Sequence, residues 1–171
     1  MTSSFNVRPA EPADIGAIGR LGAMLVTEHH EFDPKRFVAP RPDMAELYGR
    51  FLGSQSELPD KLVLVADMGG AVVGYVYAGV EGNDYMALRG PAGVIYDLVV
   101  DPDHRRQGIG TALLDAAQAA LAARGEPRAV LSTAERNAGA QRMFEKAGFR
   151  RTMIEMTREL ADDGETPGSE V

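Results

Sequence analysis

Two periodicities of apolar residues alternate along the chain, and together they predict the elements of one mixed domain. Phe5 to Arg8 reads as a short first strand. Ile15, Ile18, Leu21 and Leu25 recur at helical spacing and predict an amphipathic helix over 13–29. The polar, proline-punctuated stretch EHHEFDPKRFVAPRPD is expected to be a loop, and Asp43 at its end is placed to cap a second helix over 44–53. Residues 62–68 and 71–80 read as strands joined by Gly69-Gly70, a pair that tolerates the positive φ of a tight hairpin. A loop over 81–93 leads to VIYDLVV (94–100), the most strand-like run, which Asp101-Pro102 ends. A strong helix over 108–124 follows, with Arg124 and Gly125 as its stop signals. A strand over 129–133, a helix over 137–147 and an unbroken final strand over 149–160 complete the order. The order is β-α-α-β-β-β-α-β-α-β, an α/β domain with a mixed sheet over residues 1–160. The crossover through helix 108–124 favours parallel pairing of strands 94–100 and 129–133.

Composition narrows the reading. A chain of 171 residues suits one domain, and at 44% hydrophobic it can fill a sizeable core without metal or disulfide staples. Cysteine is absent, which excludes a disulfide framework, a thiolate metal site and a cysteine acyl-enzyme. The formal net charge is −7. Residues 161–171, expected to be a disordered acidic tail, carry four of the acids and no base, leaving −3 for the rest. That balance argues against a nucleic-acid surface, which needs a basic stripe, and leaves a cationic substrate open. No apolar run approaches the ~20 residues of a membrane span, and MTSSFNVRPA has no apolar signal core. The expectation is a soluble, cytoplasmic protein without a membrane partner.

The informative stretch is Asp101-Pro-Asp-His-Arg-Arg-Gln-Gly-Ile-Gly-Thr111, a strand end, tight turn and helix start. Gly108 and Gly110 let backbone approach a ligand, and the first N–H groups of a helix have no internal partner. Arg105, Arg106 and Gln107 add donors, so the loop is suited to a pyrophosphate; a plain helix start is the alternative. A Walker A loop is absent, and the dinucleotide fingerprint fails because Leu113 stands where it needs its third glycine.

Arg105-Arg-Gln-Gly-Ile-Gly110 resembles the Arg/Gln-x-x-Gly-x-Gly/Ala loop of the GCN5-related N-acetyltransferase (GNAT) family, which follows a strand ending as Val100-Asp-Pro102 does. Asn137-Ala-Gly-Ala-Gln-Arg-Met-Phe-Glu-Lys-Ala-Gly-Phe149 is similar to a second family motif, Asn-x-x-Ala-x-x-Leu-Tyr-Glu-Lys-x-Gly-Phe. The resemblance implies acetyl-CoA or a related acyl-CoA as co-substrate, no metal, and an amine or a basic peptide end as acceptor. It also implies a possible homodimer, since relatives pair through sheet edges or exposed helices. It places the backbone of Leu98, Val99 and Val100 along the pantetheine and acetyl groups, with the N–H of Val99 polarising the carbonyl. It places residues Arg105, Arg106, Gln107, Gly108, Ile109, Gly110 and Thr111 on the pyrophosphate, and Asn137 on the pantetheine arm while it caps its helix. Phe144 occupies the position of the tyrosine that in relatives is credited as general acid, so it packs beside the thioester without a proton to give.

Asp97 and Tyr96 are the candidate catalytic side chains. A carboxylate inside an apolar strand is costly to bury unless it is partnered, and in a regular strand only one of two neighbours faces the acceptor cleft. A nearby bulge relaxes that rule. His29 and His30 close the first helix; adjacent helical positions diverge, which argues against a shared metal. Glu28, Glu31, Asp33, Glu81 and Asp84 lean towards a cationic acceptor. Ser132 and Thr133 have no readable histidine relay. The leading expectation is direct acetyl transfer from acetyl-CoA to an amine in a ternary complex. The alternative, suggested by Phe144, is an acyl-CoA-binding sensor or partner protein with little turnover.

Overall fold

A computed structural model describes residues 4–160, so the expected acidic tail lies outside the described residues. Among the described residues, five strands and four α-helices follow one another as β1 (Asn6–Pro9), α1 (Ile15–Phe32), α2 (Met44–Ser56), β2 (Lys61–Met68), β3 (Ala71–Glu81), β4 (Ala92–Val100), α3 (Ile109–Ala123), β5 (Ala129–Leu131) and α4 (Ala138–Lys146). The sheet order is β1-β2-β3-β4-β5; β1 to β4 are antiparallel neighbours and β5 joins β4 in parallel, as the helical crossover requires. Gly69 and Gly70 turn the β2–β3 hairpin at φ 63° and 89°.

Alternation along the strands divides the core between two faces. Tyr75, Tyr77, Val63, Val65 and Val99 pack with Ile18 and Leu21 of α1 and Leu52 of α2. Val76, Ala78, Ile95 and Ala66 pack on the opposite face with Ile109, Leu113, Leu114, Ala117 and Leu121 of α3 and Phe144 of α4. Arg8 ties the start of α1 to the sheet through Asp14 at 2.7 Å and Asp67 at 2.9 Å, and its guanidinium holds the Asp14 carboxyl below the usual range.

Helices α1 and α2 cross at glycine. A Cβ on Gly19 would come within 2.2 Å of the Ala45 carbonyl oxygen, and one on Gly22 within 2.1 Å of the Tyr48 ring. Glycine is weak in a helix by propensity; here it permits backbone to lie on backbone and seats the Tyr48 ring over α1.

Several elements depart from expectation. Helix α1 runs on to Phe32, into the stretch expected to be loop. Asp43 precedes α2, but its carboxylate takes Arg41 at 3.0 and 2.8 Å rather than a helix N–H. Strand β5 stops at Leu131, and no final strand forms over 149–160: past Phe149 the backbone joins no strand of the sheet, and Met153, Ile154 and Met156 are at 75%, 85% and 90% exposure. The physical reason lies in its alternation. Arg151, Met153, Glu155 and Thr157 share one face and Arg150, Thr152, Ile154 and Met156 the other, so neither face is apolar enough to fix a register.

The helix crossing is testable. Gly→Ala in a helix interior ordinarily gains ~0.5–1 kcal/mol. At Gly19 the sign should reverse, to a loss of ~1–3 kcal/mol from overpacking. Gly16→Ala, whose Cβ meets only the Arg20 guanidinium at 3.9 Å, should show the ordinary gain. Urea unfolding of the two variants beside the parent measures both.

Candidate active site

Strand β4 pairs with β5 only over Gly93–Ile95, against Ala129–Leu131. From Tyr96 to Val100 it keeps β3 on one side and opens on the other. Asp101 N–H donates to Val73 O at 2.9 Å. Ladder alternation turns the Val99 N–H to that same β3 side, and those of Leu98 and Val100 into the opening. The donor expected at Val99 is therefore corrected to its two neighbours, because Val99 is spent in the sheet.

The opening leads to the β4–α3 loop. Asp101 accepts from Asp103 N–H at 3.0 Å and starts a 3-10 turn, after which Arg106 and Gly108 adopt φ 61° and 82°. Gly108 is the N-cap of α3, with no side-chain cap and no acid in the first turn. The first intrahelical bond runs from Ala112 N–H to Gly108 O at 3.0 Å, so the N–H groups of Ile109, Gly110 and Thr111 have no acceptor within the helix. Ile109 is a core residue and offers the loop only its backbone. Arg105 donates to Val100 O at 3.0 Å and also pairs with Glu28 of α1; Arg106 and Gln107 are exposed. Across the loop stands α4. Asn137 caps it, Oδ1 accepting from Ala140 N–H at 3.1 Å, which leaves the side-chain amide N–H groups as donors. Phe144 is buried at 8% exposure, its ring edge-on to Phe149 at 6.0 Å.

The acid lies in the middle of β4. Register slips there: Tyr77 pairs with Asp97 and Ala78 with Ile95, so Tyr96 is the extra residue of a bulge. Tyr96 and Asp97 therefore both face α1 and α2. The hydroxyls of Tyr48 and Tyr75 both donate to Asp97 Oδ2, at 2.8 and 3.1 Å. Burial pushes the Asp97 carboxyl above its ordinary pKa, and the two phenols pull it partly back. Burial and the adjacent carboxylate hold both phenols far above their ordinary value, so they remain donors.

Tyr96 is near Asp97 in sequence but committed elsewhere. Its hydroxyl donates to Glu81 at 2.6 Å, takes Lys61 Nζ at 3.1 Å, and its ring lies 4.7 Å from that of Tyr77. Glu28, Glu81 and Asp84 are engaged by arginines, and Asp33 accepts turn N–H groups. Tyr48 is the site residue that sequence reasoning missed. At helical spacing it reads as one more apolar position, and the only hint was that a carboxylate in an apolar strand needs donors.

A family model described as the Acetyltransferase (GNAT) family matches residues 25–149. A mycothiol acetyltransferase of Thermobispora bispora is 36% identical over 96 residues, 54% of this chain and 31% of that protein's length. An acetyltransferase of Pectobacterium atrosepticum is 37% identical over 108 residues, 63% of this chain and 70% of that protein. The fold is shared with a predicted acetyltransferase of Clostridium acetobutylicum solved with acetyl-CoA, at TM-score 0.69 and 17% identity, covering 92% of this chain and 97% of that one. Among the described residues no helix is long and apolar enough to cross a membrane. The matched stretch takes in the bulged strand, the glycine loop and the Asn137 helix, and the chain belongs to the GNAT family of acetyltransferases.

Proposed function

We propose that this chain transfers an acetyl group from acetyl-CoA directly to an amine, both bound at once. The observation that carries the reading is the continuous run of unspent donors: Leu98 and Val100 N–H along the open side of β4, then the N–H groups at the start of α3. The loop from Arg105 to Thr111 takes the pyrophosphate, with the Gly110 backbone close and Arg106 and Gln107 free to close over it. Asn137 gives its amide N–H groups to the pantetheine arm. The thioester carries the acetyl group already activated towards an amine, so the chain needs only to position it and polarise it. An N–H of Leu98 or Val100 does the second, as in an oxyanion hole. A cysteine acyl-enzyme is impossible in a chain without cysteine.

Asp97 receives a proton from the amine, directly or through one water. Both phenols bind Oδ2, which leaves Oδ1 for that task among the hydrogen bonds of the described residues. A carboxylate facing an aromatic-rich cleft favours a cationic amine, a small molecule or a basic peptide end. Phe144 favours a second reading, an acyl-CoA-binding sensor with little turnover, because it has no proton for the leaving thiolate. Its buried, edge-on packing is that of a core ring, and a thiolate leaves without a dedicated acid.

Three results test these assignments. Gly110→Glu should abolish CoA binding in calorimetry while the protein stays folded, since the new Cβ meets only side-chain ends, Met143 Sδ at 3.2 Å and Val100 Cγ2 at 3.7 Å, and α3 gains an acid at its start. Asp97→Asn should lower turnover by ~10²–10⁴-fold with CoA affinity kept. The working form of Asp97 is the carboxylate and its pKa is raised, so parental activity should fall as pH drops through a value above the ordinary ~3.9. The residual activity of the variant should lack that limb. Phe144→Tyr should change turnover by less than roughly tenfold; a gain of hundreds-fold from a nearly inert parent, assayed on a broad amine panel, selects the sensor reading.

A further inference from the structure

The last turn of α1 is fastened to both strands that part at the opening. Strands β4 and β5 are parallel, so the segments that follow them leave from the same end of the sheet. Arg105, in the segment after β4, pairs with Glu28 of α1. Arg136, in the segment after β5, donates to Phe32 O at 2.7 Å. One turn of helix thus bridges the two lips, held at each by an arginine.

Arg105 also lies against the open edge of β4. Its Nε donates to Val100 O at 3.0 Å. In an antiparallel ladder the N–H and C=O of one residue point to the same side, so Val100 O lies with its N–H in the opening. An amide laid along that edge brings an N–H of its own, for which Val100 O is the matching acceptor. Arg105 stands there instead. The loop beyond is built for negative charge, since α3 starts with neither a side-chain cap nor an acid in its first turn. The carboxylate that meets Arg105 comes from outside the loop, from Glu28 on the helix across the opening. Their side chains are 44% and 30% exposed, so the pair is open to exchange with a ligand.

We infer that the Glu28–Arg105 pair is a latch on the cofactor site: Glu28 stands in for a ligand phosphate, holds Arg105 across Val100 O, and yields it to the pyrophosphate when CoA enters. The inference rests on the cofactor assignment of the proposed function. A pyrophosphate offers more charge and more oxygens than one carboxylate, and a guanidinium pairs with phosphate oxygens two at a time. The exchange therefore runs towards the ligand. It also clears the edge of β4 for the arm that follows, while Arg136 keeps the helix turn attached at the other lip. Glu28 is in this sense a built-in competitor. It lowers the apparent affinity for CoA by the fraction of molecules in which Arg105 is held.

Calorimetry with CoA tests the latch without turnover. Glu28→Gln keeps the size of the side chain and removes the competing charge, so CoA should bind ~2–5-fold more tightly than to the parent. In an Arg105→Gln background the same substitution should leave CoA affinity unchanged, because no guanidinium is left to release. Unchanged or weaker binding to Glu28→Gln overturns the proposal. An equal gain in both backgrounds overturns it too, since that pattern is diffuse repulsion between Glu28 and the ligand. A second readout follows Arg105 directly. Its Nε–H resonance, identified by its loss in Arg105→Gln, should shift when CoA saturates the parent; a resonance that stays in place refutes the exchange. If CoA does not bind the parent at all, the cofactor assignment falls and the latch with it. If CoA binds and the double-mutant cycle shows no coupling, the latch alone falls.

Discussion

A carboxylate set into the middle of a sheet dictates much of what surrounds it. Asp97 cannot be withdrawn from water alone, because an unpartnered buried charge costs far more than a domain can spare. Each hydrogen bond to a charged group contributes ~1.5–3 kcal/mol, and Asp97 receives two, from Tyr48 and Tyr75. Tyr75 is delivered by the sheet itself, from the strand paired with β4. Tyr48 comes from α2 and reaches Asp97 only because α1 presents glycine beneath its ring. The close helix crossing and the polar centre are therefore one construction, and neither is intelligible without the other.

The second constraint is the brevity of β5. Three paired residues are enough to close the sheet at the start of β4, and beyond them the strand keeps its open-side donors. Backbone donors left unpaired in a partly buried strand demand an acceptor. On the proposed reading, an extended chain of amides and a thioester carbonyl would supply one, and the loop after the strand the matching site for negative charge. On that reading, the same opening would admit the pantetheine arm beside Asn137 and the Gly110 turn.

Much of this was legible in the sequence, for identifiable reasons. The glycine loop, its basic residues and the parallel crossover are local signals, fixed by spacing along one segment. The bulge at Tyr96 was legible only as a possibility, since a register slip is a property of two strands. The choice between Val99 and its neighbours as donors depends on which N–H faces β3, and no pattern of side chains records that parity. Tyr48 was hidden because a tyrosine at helical spacing looks like packing until its partner is known. Asp43 had the right residue type for a cap, but Arg41, two residues away, competes for its carboxylate. The strand expected over 149–160 was read from β-forming residues, yet its two faces are equally mixed. Without an apolar face, propensity alone does not bind a strand to an edge.

Counting protons connects the two sides of the sheet. An ammonium acceptor must lose two protons to become an amide, while the leaving thiolate needs one. The face that carries Asp97 has a carboxylate oxygen, Oδ1, left over by the two phenols, and the face that carries Phe144 has neither donor nor acceptor at the ring. That asymmetry fits a reaction in which deprotonation of the amine is the step the protein must assist. Thiol formation can be left to water. A phenol at position 144 would supply a proton that the reaction already releases, whereas a missing acceptor near Asp97 would leave the amine charged and unable to attack. The arrangement places its polar investment, in a carboxylate and two phenols, on the side where the proposed reaction has to make the attacking nitrogen neutral.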